Sequence, residues 1–135
     1  MKYWMVKSEP SKYSWEQFVK DKKATWDGVR NFAARNNLRD MKKGDRLLYY
    51  HSNEGLAIVG IAEVIKEAYQ DPTTEDTNWL VVDIKPVKEI PTPVTLATLK
   101  ADKGFENMDL IRLGRLSVGK VTDEEYKKIL KMGGL

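Results

Sequence analysis

The sequence predicts an α+β fold: a curved, mostly antiparallel sheet that curls into a barrel, with short helices flanking it. Two observations carry the sheet and one carries the helices. Runs rich in Val, Ile, Leu and aromatic residues, "RLLYYHS", "LAIVGIAEVIKEA" and "WLVVDIKPVKEI", follow one another as in a meander. Only the short polar stretches "NEG" and "DPTTEDTN" separate them. Short segments with helical start signals, Ser, Thr or Asn, stand before and after this block. At 135 residues, with no repeat, low-complexity tract or Gly/Ser linker, the chain is expected to form one domain over 1–135.

Taken in order, "KYWMVK" alternates and reads as a strand, ended at "SEPSKYS", where Pro10 disfavours helix at Glu9. Ser14 with Gln17 forms a capping box for a helix through about Lys20. "FAARNNLRDM" places Phe32, Leu38 and Met41 near helical spacing behind Asn31 as cap, and "KKGD" turns the chain. The three long strands follow. Gly60 inside the longest suggests a bulge or a close approach of another group to the backbone. Thr95 caps a short helix, "RLSVGKV" reads as the last strand, and Thr122 with Glu125 caps "DEEYKKILKM", which ends at Gly133.

Composition narrows the chemistry. Without cysteine, disulfides, thiolate nucleophiles, iron–sulfur clusters and cysteine-ligated zinc are excluded, and a single histidine excludes a multi-histidine metal centre. The acids are scattered and match no calcium loop, so neither metal nor cofactor is expected. No run approaches the roughly 18 apolar residues that span a bilayer, and "MKYWMVKSEP" has no signal-peptide pattern; the expectation is a cytoplasmic protein without membrane association. Net charge is only +3, but it is uneven: residues 1–50 hold 12 Lys+Arg against 6 Asp+Glu, and the remainder is net acidic. A basic N-terminal portion suits a polyanionic partner as well as it suits a solvated surface.

Three clusters mix apolar surface with polar groups of defined geometry: "VKSEP" (6–10), "WDGVRN" (26–31) and "YYHS" (49–52), with "RLSV" (115–118) as a fourth. Trp26, beside the turn-permitting Gly28 and just before Arg30 and Asn31, offers either a stacking face for a flat heteroaromatic or a plug for the core. Lys7 and Ser8 are adjacent on a strand and so point to opposite faces, which speaks against a Ser/Lys nucleophile pair. Neither the Gly-rich phosphate loop nor the dinucleotide fingerprint is present. For His51, the one histidine, three readings stay open: a pocket wall, a hydrogen-bonded structural residue, or a general base.

In this order, "YWMVKSEP", "WDGVRNFAARNNLRDMKKGD", "YYHSNEG", "IVGIAEV", "DPT" and "IRLGRLSV" resemble the EVE domain family, over about Tyr3 to Val118 and on to the final helix. The resemblance implies a PUA-like fold, related to the YTH domains that read methylated adenine in RNA. It also implies a non-enzymatic reader of modified nucleobases, with modified cytosine in DNA ahead of RNA bases. Carried over by position, Lys7, Ser8, Glu9, Trp26, Val29, Arg30, Asn31, Tyr50, His51 and Ser52 would line the base pocket, closed by Leu110, Arg115 and Ser117. Two alternatives remain beside this: an RNA-binding PUA-like module acting on tRNA or rRNA, and a small nucleotide-processing enzyme using His51.

Overall fold

In the computed structural model, which describes residues 1–135, the alternating stretch YWMVKS forms strand β1 (Tyr3–Ser8). Helix α1 (Trp15–Asp21) follows, its N-cap Ser14 accepting from the Gln17 N–H; the reciprocal half of a capping box is not made. A two-residue strand β2 (Ala24–Thr25), not signalled by the sequence, precedes α2 (Phe32–Asp40), which is capped by Asn31. Then come β3 (Arg46–His51), β4 (Ala57–Gln70) and β5 (Leu80–Thr95). The chain closes with α3 (Leu96–Lys100), a 3-10 turn (Lys103–Phe105), α4 (Asp109–Arg112), β6 (Val118–Val121) and α5 (Asp123–Met132). The expected Thr122–Glu125 capping box is complete at the start of α5.

The strands form one six-stranded sheet in the order β2-β5-β4-β3-β1-β6. The sheet is mostly antiparallel, as expected; only the central β1–β3 pair is parallel, because the chain leaves β1 through α1 and α2 before it returns alongside. The expected barrel needs correction: the sheet does not close, since β2 and β6 remain separate edges. β2 is only two residues long, and side chains already occupy backbone groups of β6: Asn37 Nδ2 donates to the Val118 carbonyl and Asp109 accepts the Lys120 N–H. Those bonds occupy groups that another strand would need.

Both faces of the sheet are covered, so alternate residues of a strand enter different cores. On β1 and β3, Trp4, Val6, Leu47 and Tyr49 point to one side with α1 and α2, while Met5, Leu48 and Tyr50 point to the other with α3, α5 and Phe105. Asp45 ties the start of this arrangement together, accepting from Trp4 Nε1 at 2.9 Å and from the backbone of Lys2 and Lys42. Burial pushes its carboxyl up, but these hydrogen bonds outweigh burial and hold it below the ordinary range.

β4 and β5 pair along most of their length with register shifts that bend the ladder, one of them beside Gly60. The reason for a glycine there is direct. A Cβ at Gly60 would stand 2.5 Å from three ring carbons of Trp15, which lies over the strand and packs edge-on against Tyr49. Gly60→Ala is therefore expected to destabilise the protein by about 1–3 kcal/mol through overpacking. The check is urea unfolding, where the midpoint should fall with the slope unchanged.

Candidate functional site

Beyond the C-terminal end of β1, the chain opens a cleft of about 650 Å³. That volume is in the range, about 300–1,000 Å³, of sites that enclose a small molecule. One side is formed by Lys7, Ser8, Glu9 and Lys12, the other by the segment from Lys23 to Arg30, with Tyr13, Asp21 and Ser117 at the ends. Cations (Lys7, Lys12, Lys23, Arg30) and acids (Glu9, Asp21, Asp27) alternate around a small apolar surface of Trp26, Val29 and Ala24.

Trp26 is half-buried and held edge-on by Tyr13 (6.4 Å between ring centroids) and by Tyr49 (5.6 Å), so its plane is fixed before any ligand arrives. Its backbone N–H is bonded to the Val82 carbonyl of β5. The Tyr13 hydroxyl donates to Asp21 at 2.8 Å; burial first, then this carboxylate, raises its pKa, so Tyr13 stays protonated. Beneath it the Tyr49 hydroxyl donates to the Tyr13 carbonyl, and burial pushes that phenol up to about 12.

The wall carrying Trp26 is anchored by Asp71, whose side chain is fully buried. Its Oδ2 accepts from Arg30 at 2.9 Å and from the Gly28 N–H at 3.1 Å, and its Oδ1 accepts from the backbone and hydroxyl of Thr73. Burial pushes this carboxyl up; the bonds from Thr73, Arg30 and Gly28 together outweigh burial and hold it well below the usual carboxylate range. Gly28 reaches the carboxylate with φ +76°, a left-handed conformation that favours glycine.

Of the residues selected from sequence, Lys7, Ser8, Glu9, Trp26, Val29, Arg30 and Ser117 meet in this cleft. The others stand elsewhere. Asn31 caps α2, its Oδ1 accepting from Ala34. Tyr50 and Leu110 are buried in the core on the far side of the sheet, because Tyr50 alternates with Tyr49. Ser52 donates its N–H to the Ser8 carbonyl outside the cleft lining, and Arg115 is exposed on the loop beyond it. Lys12, Tyr13, Asp21, Lys23, Ala24, Thr25, Asp27 and Gly28 also line the cleft, outside the residues that the resemblance implies. Asp71, which anchors the cleft wall, has one signal in the sequence, an acid directly before a turn proline in "DPT"; its burial is visible only in the fold.

His51 also leaves the cleft. Its Nε2 accepts the Trp15 N–H at 3.0 Å, satisfying one of the donors that the first turn of α1 leaves open. The bonded nitrogen must be unprotonated and is not free to take a proton from a ligand. Ser8 Oγ donates to the Tyr13 carbonyl and Lys7 Nζ to the Gly114 carbonyl, so these residues form no nucleophile–base pair with His51. No group of three His, Cys, Asp or Glu side chains is gathered for a metal ion, and no helix is long and apolar enough to cross a membrane.

A half-buried indole, hydrogen-bonding groups and charges of both signs meet at one opening of a small α+β domain. The comparisons give that class its family. The EVE domain model matches residues 2–132, and the chain belongs to the EVE domain family. Thymocyte nuclear protein 1 of Mus musculus is 36% identical over 96% of this chain and 73% of its own length. A crystal structure from Agrobacterium tumefaciens is 48% identical with a TM-score of 0.97, covering 100% of this chain and 94% of that one. Human THYN1 protein, solved in complex with 5-methylcytosine-containing DNA, is 31% identical with a TM-score of 0.90, covering 100% and 99%. A YTH domain of Zygosaccharomyces rouxii, 14% identical at a TM-score of 0.58 over 99% of this chain and 87% of that one, shares the fold.

The His51 geometry predicts a pH dependence. Burial lowers the imidazole pKa against a smaller opposing effect of Glu16. A depressed pKa in the folded state means that the stabilisation is complete above about pH 6.5, the unfolded value, and is lost as pH falls through the folded value. Unfolding free energy measured from pH 7 to pH 5 should fall more steeply in the native protein than in His51→Gln, whose amide retains an acceptor and does not titrate.

Proposed function

We propose that this protein is a non-enzymatic reader that takes a modified nucleobase, 5-methylcytosine in DNA first among them, into the cleft between Lys7–Glu9 and Trp26–Arg30. The observation that carries the reading is Trp26: a partly exposed indole, braced by two tyrosines, on a wall of the cleft that lysines flank. The order of DNA before RNA rests on the human THYN1 complex.

The steps follow from the energetics. The base leaves its stack at a cost of a few kcal/mol. Stacking on Trp26 returns about 1–3 kcal/mol, and Ser8, Thr25, Asp27 and main-chain groups of the β2 wall offer partners to the base edge. A methyl group set against Val29 or Ala24 adds only about 0.8 kcal/mol by burial, so discrimination by the methyl alone is modest. Lys23, on the exposed rim, meets the backbone phosphates, with Lys12 beside it although paired to Glu9 at 3.3 Å; Arg30 is neutralised by Asp71, and Lys7 donates one hydrogen to the Gly114 carbonyl.

The test is fluorescence anisotropy with a single-stranded DNA 9-mer carrying a central 5-methylcytosine, the same 9-mer with cytosine, and the RNA counterpart. Trp26→Ala, shown to be folded by its thermal transition, should lose about 1–3 kcal/mol on the modified 9-mer and little on the unmodified one, which phosphates alone would hold. Equal losses on both would place Trp26 in the frame and not in recognition. Tighter binding of RNA would reverse the order of partners, and release of altered nucleoside on long incubation would make the protein an enzyme.

A second expectation concerns charge. Log affinity should fall linearly with log salt, and Lys23→Gln should reduce the slope by about one unit, uniformly across sequences. An affinity indifferent to salt would count against a nucleic-acid partner.

A further inference from the structure

Arg30 belongs to two surfaces. One end of it lines the cleft, while its guanidinium carbon lies 5.6 Å from the Trp79 ring centre outside it. Trp79 in turn packs on Phe32, with centroids 4.9 Å apart at 31°, and the Arg35 guanidinium carbon lies 5.2 Å from the Phe32 ring. The result is a row of Arg30, Trp79, Phe32 and Arg35 running outward from the cleft along the start of α2.

This row is unusual for a surface. Phe32 is 55% exposed, and no other phenylalanine, tyrosine or tryptophan is among the chain's strongly exposed apolar residues. Anchorage of the 71–79 loop does not need its ring, since Asp71 and Thr73 bind Arg30 and the Asn78 carbonyl accepts from Arg35 at 2.7 Å. The acids of that loop, Glu75 and Asp76, are exposed close to the pair in sequence and repel phosphate. The combination of an exposed aromatic face, flanking guanidiniums and nearby acids favours a base over a backbone phosphate.

We infer that the Phe32–Trp79 pair is a second stacking subsite, which takes the nucleobase next to the one held in the cleft. This rests on the base-reading function proposed above. Arg30 joins the two subsites, and Asp71 fixes their spacing by holding Arg30 and Gly28 together.

The experiment compares the native protein, Phe32→Leu and Phe32→Tyr on three probes: the 5-methylcytosine 9-mer, the same 9-mer with an abasic nucleotide on one side or the other of the modified base, and free 5-methyl-2′-deoxycytidine. Phe32→Leu should weaken the 9-mer about 5- to 150-fold, leave the free deoxynucleoside unchanged, and be rescued by Phe32→Tyr, which keeps a ring. One abasic position should weaken the native protein similarly, and Phe32→Leu should add no further loss on that probe. The inference falls if neither abasic position matters to the native protein, an arm that needs no variant to fold. It falls too if Phe32→Leu weakens deoxynucleoside and 9-mer by the same factor, or weakens neither. In those cases a native protein that still prefers the modified 9-mer over the unmodified one leaves the cleft as a reader, whereas equal binding of both removes that function as well.

Discussion

The buried carboxylate of Asp71 is the interaction on which the rest of the site depends. An ionised carboxylate without access to water is costly unless its oxygens are filled, and here the backbone of Gly28 and Thr73, the Thr73 hydroxyl and the Arg30 guanidinium fill them. The depressed pKa records which effect wins: the bonds exceed the burial penalty, so the group remains charged. Because its partners come from two segments far apart in sequence, satisfying one carboxylate fixes the spacing between the Trp26–Arg30 wall and the 71–79 loop. Substituting glycine's neighbour at the turn would be no remedy, since it is the N–H of Gly28, presented at positive φ, that reaches the acid.

Asp45 does for the scaffold what Asp71 does for the cleft. It joins the start of β1 to the turn before β3, two strands that are parallel and so have no hairpin to set their register. With the register set, alternation along β3 sends Tyr49 towards the cleft side and Tyr50 into the opposite core. Tyr49 then meets Trp15, Phe18 and Trp26 together, which makes one ring the shared support of helix α1 and of the cleft's indole. Stability and site are thereby coupled. A large change at Tyr49 would loosen both.

Most elements were legible because their signals are local. Alternation marked β1, the Leu–Tyr run marked β3, runs rich in Val and Ile marked β4 and β5, and Ser14, Asn31, Thr95 and Thr122 marked helix starts where their side chains do cap. Gly60 announced a close approach, although only the fold shows that Trp15 is what approaches. Closure of the sheet was not legible. Strand length and composition say that a segment pairs, not with which neighbour, and on β6 the Val118 carbonyl and the Lys120 N–H go to the side chains of Asn37 and Asp109. The two-residue β2 is too short to show a period. His51 could not be resolved from sequence for a related reason: its partner is a helix N–H far along the chain, and nothing near "YYHS" indicates it.

The cleft residues divide by whether their polar atoms are already engaged. Ser8, Lys7 and Tyr13 each donate one hydrogen to the protein itself, yet the two hydroxyl oxygens can still accept and the Lys7 ammonium keeps two donors, whereas Arg30 Nη1 is filled by Asp71 and the Val29 carbonyl. Lys23, Thr25 and Asp27 lie on the opposite wall, exposed, and only Thr25 among them has a side-chain bond, to Asp83 at 2.9 Å. Gly28 and Arg30, tied to Asp71, hold the shape of the opening, while the exposed stretch from Lys23 to Asp27 presents its groups to the cleft. Under the proposed reading, a pre-shaped opening loses little entropy on binding, which leaves more of the stacking energy to offset extrusion of the base. The carboxylate of Asp71 contributes to that shape by fixing Gly28 and Arg30, the residues on either side of Val29.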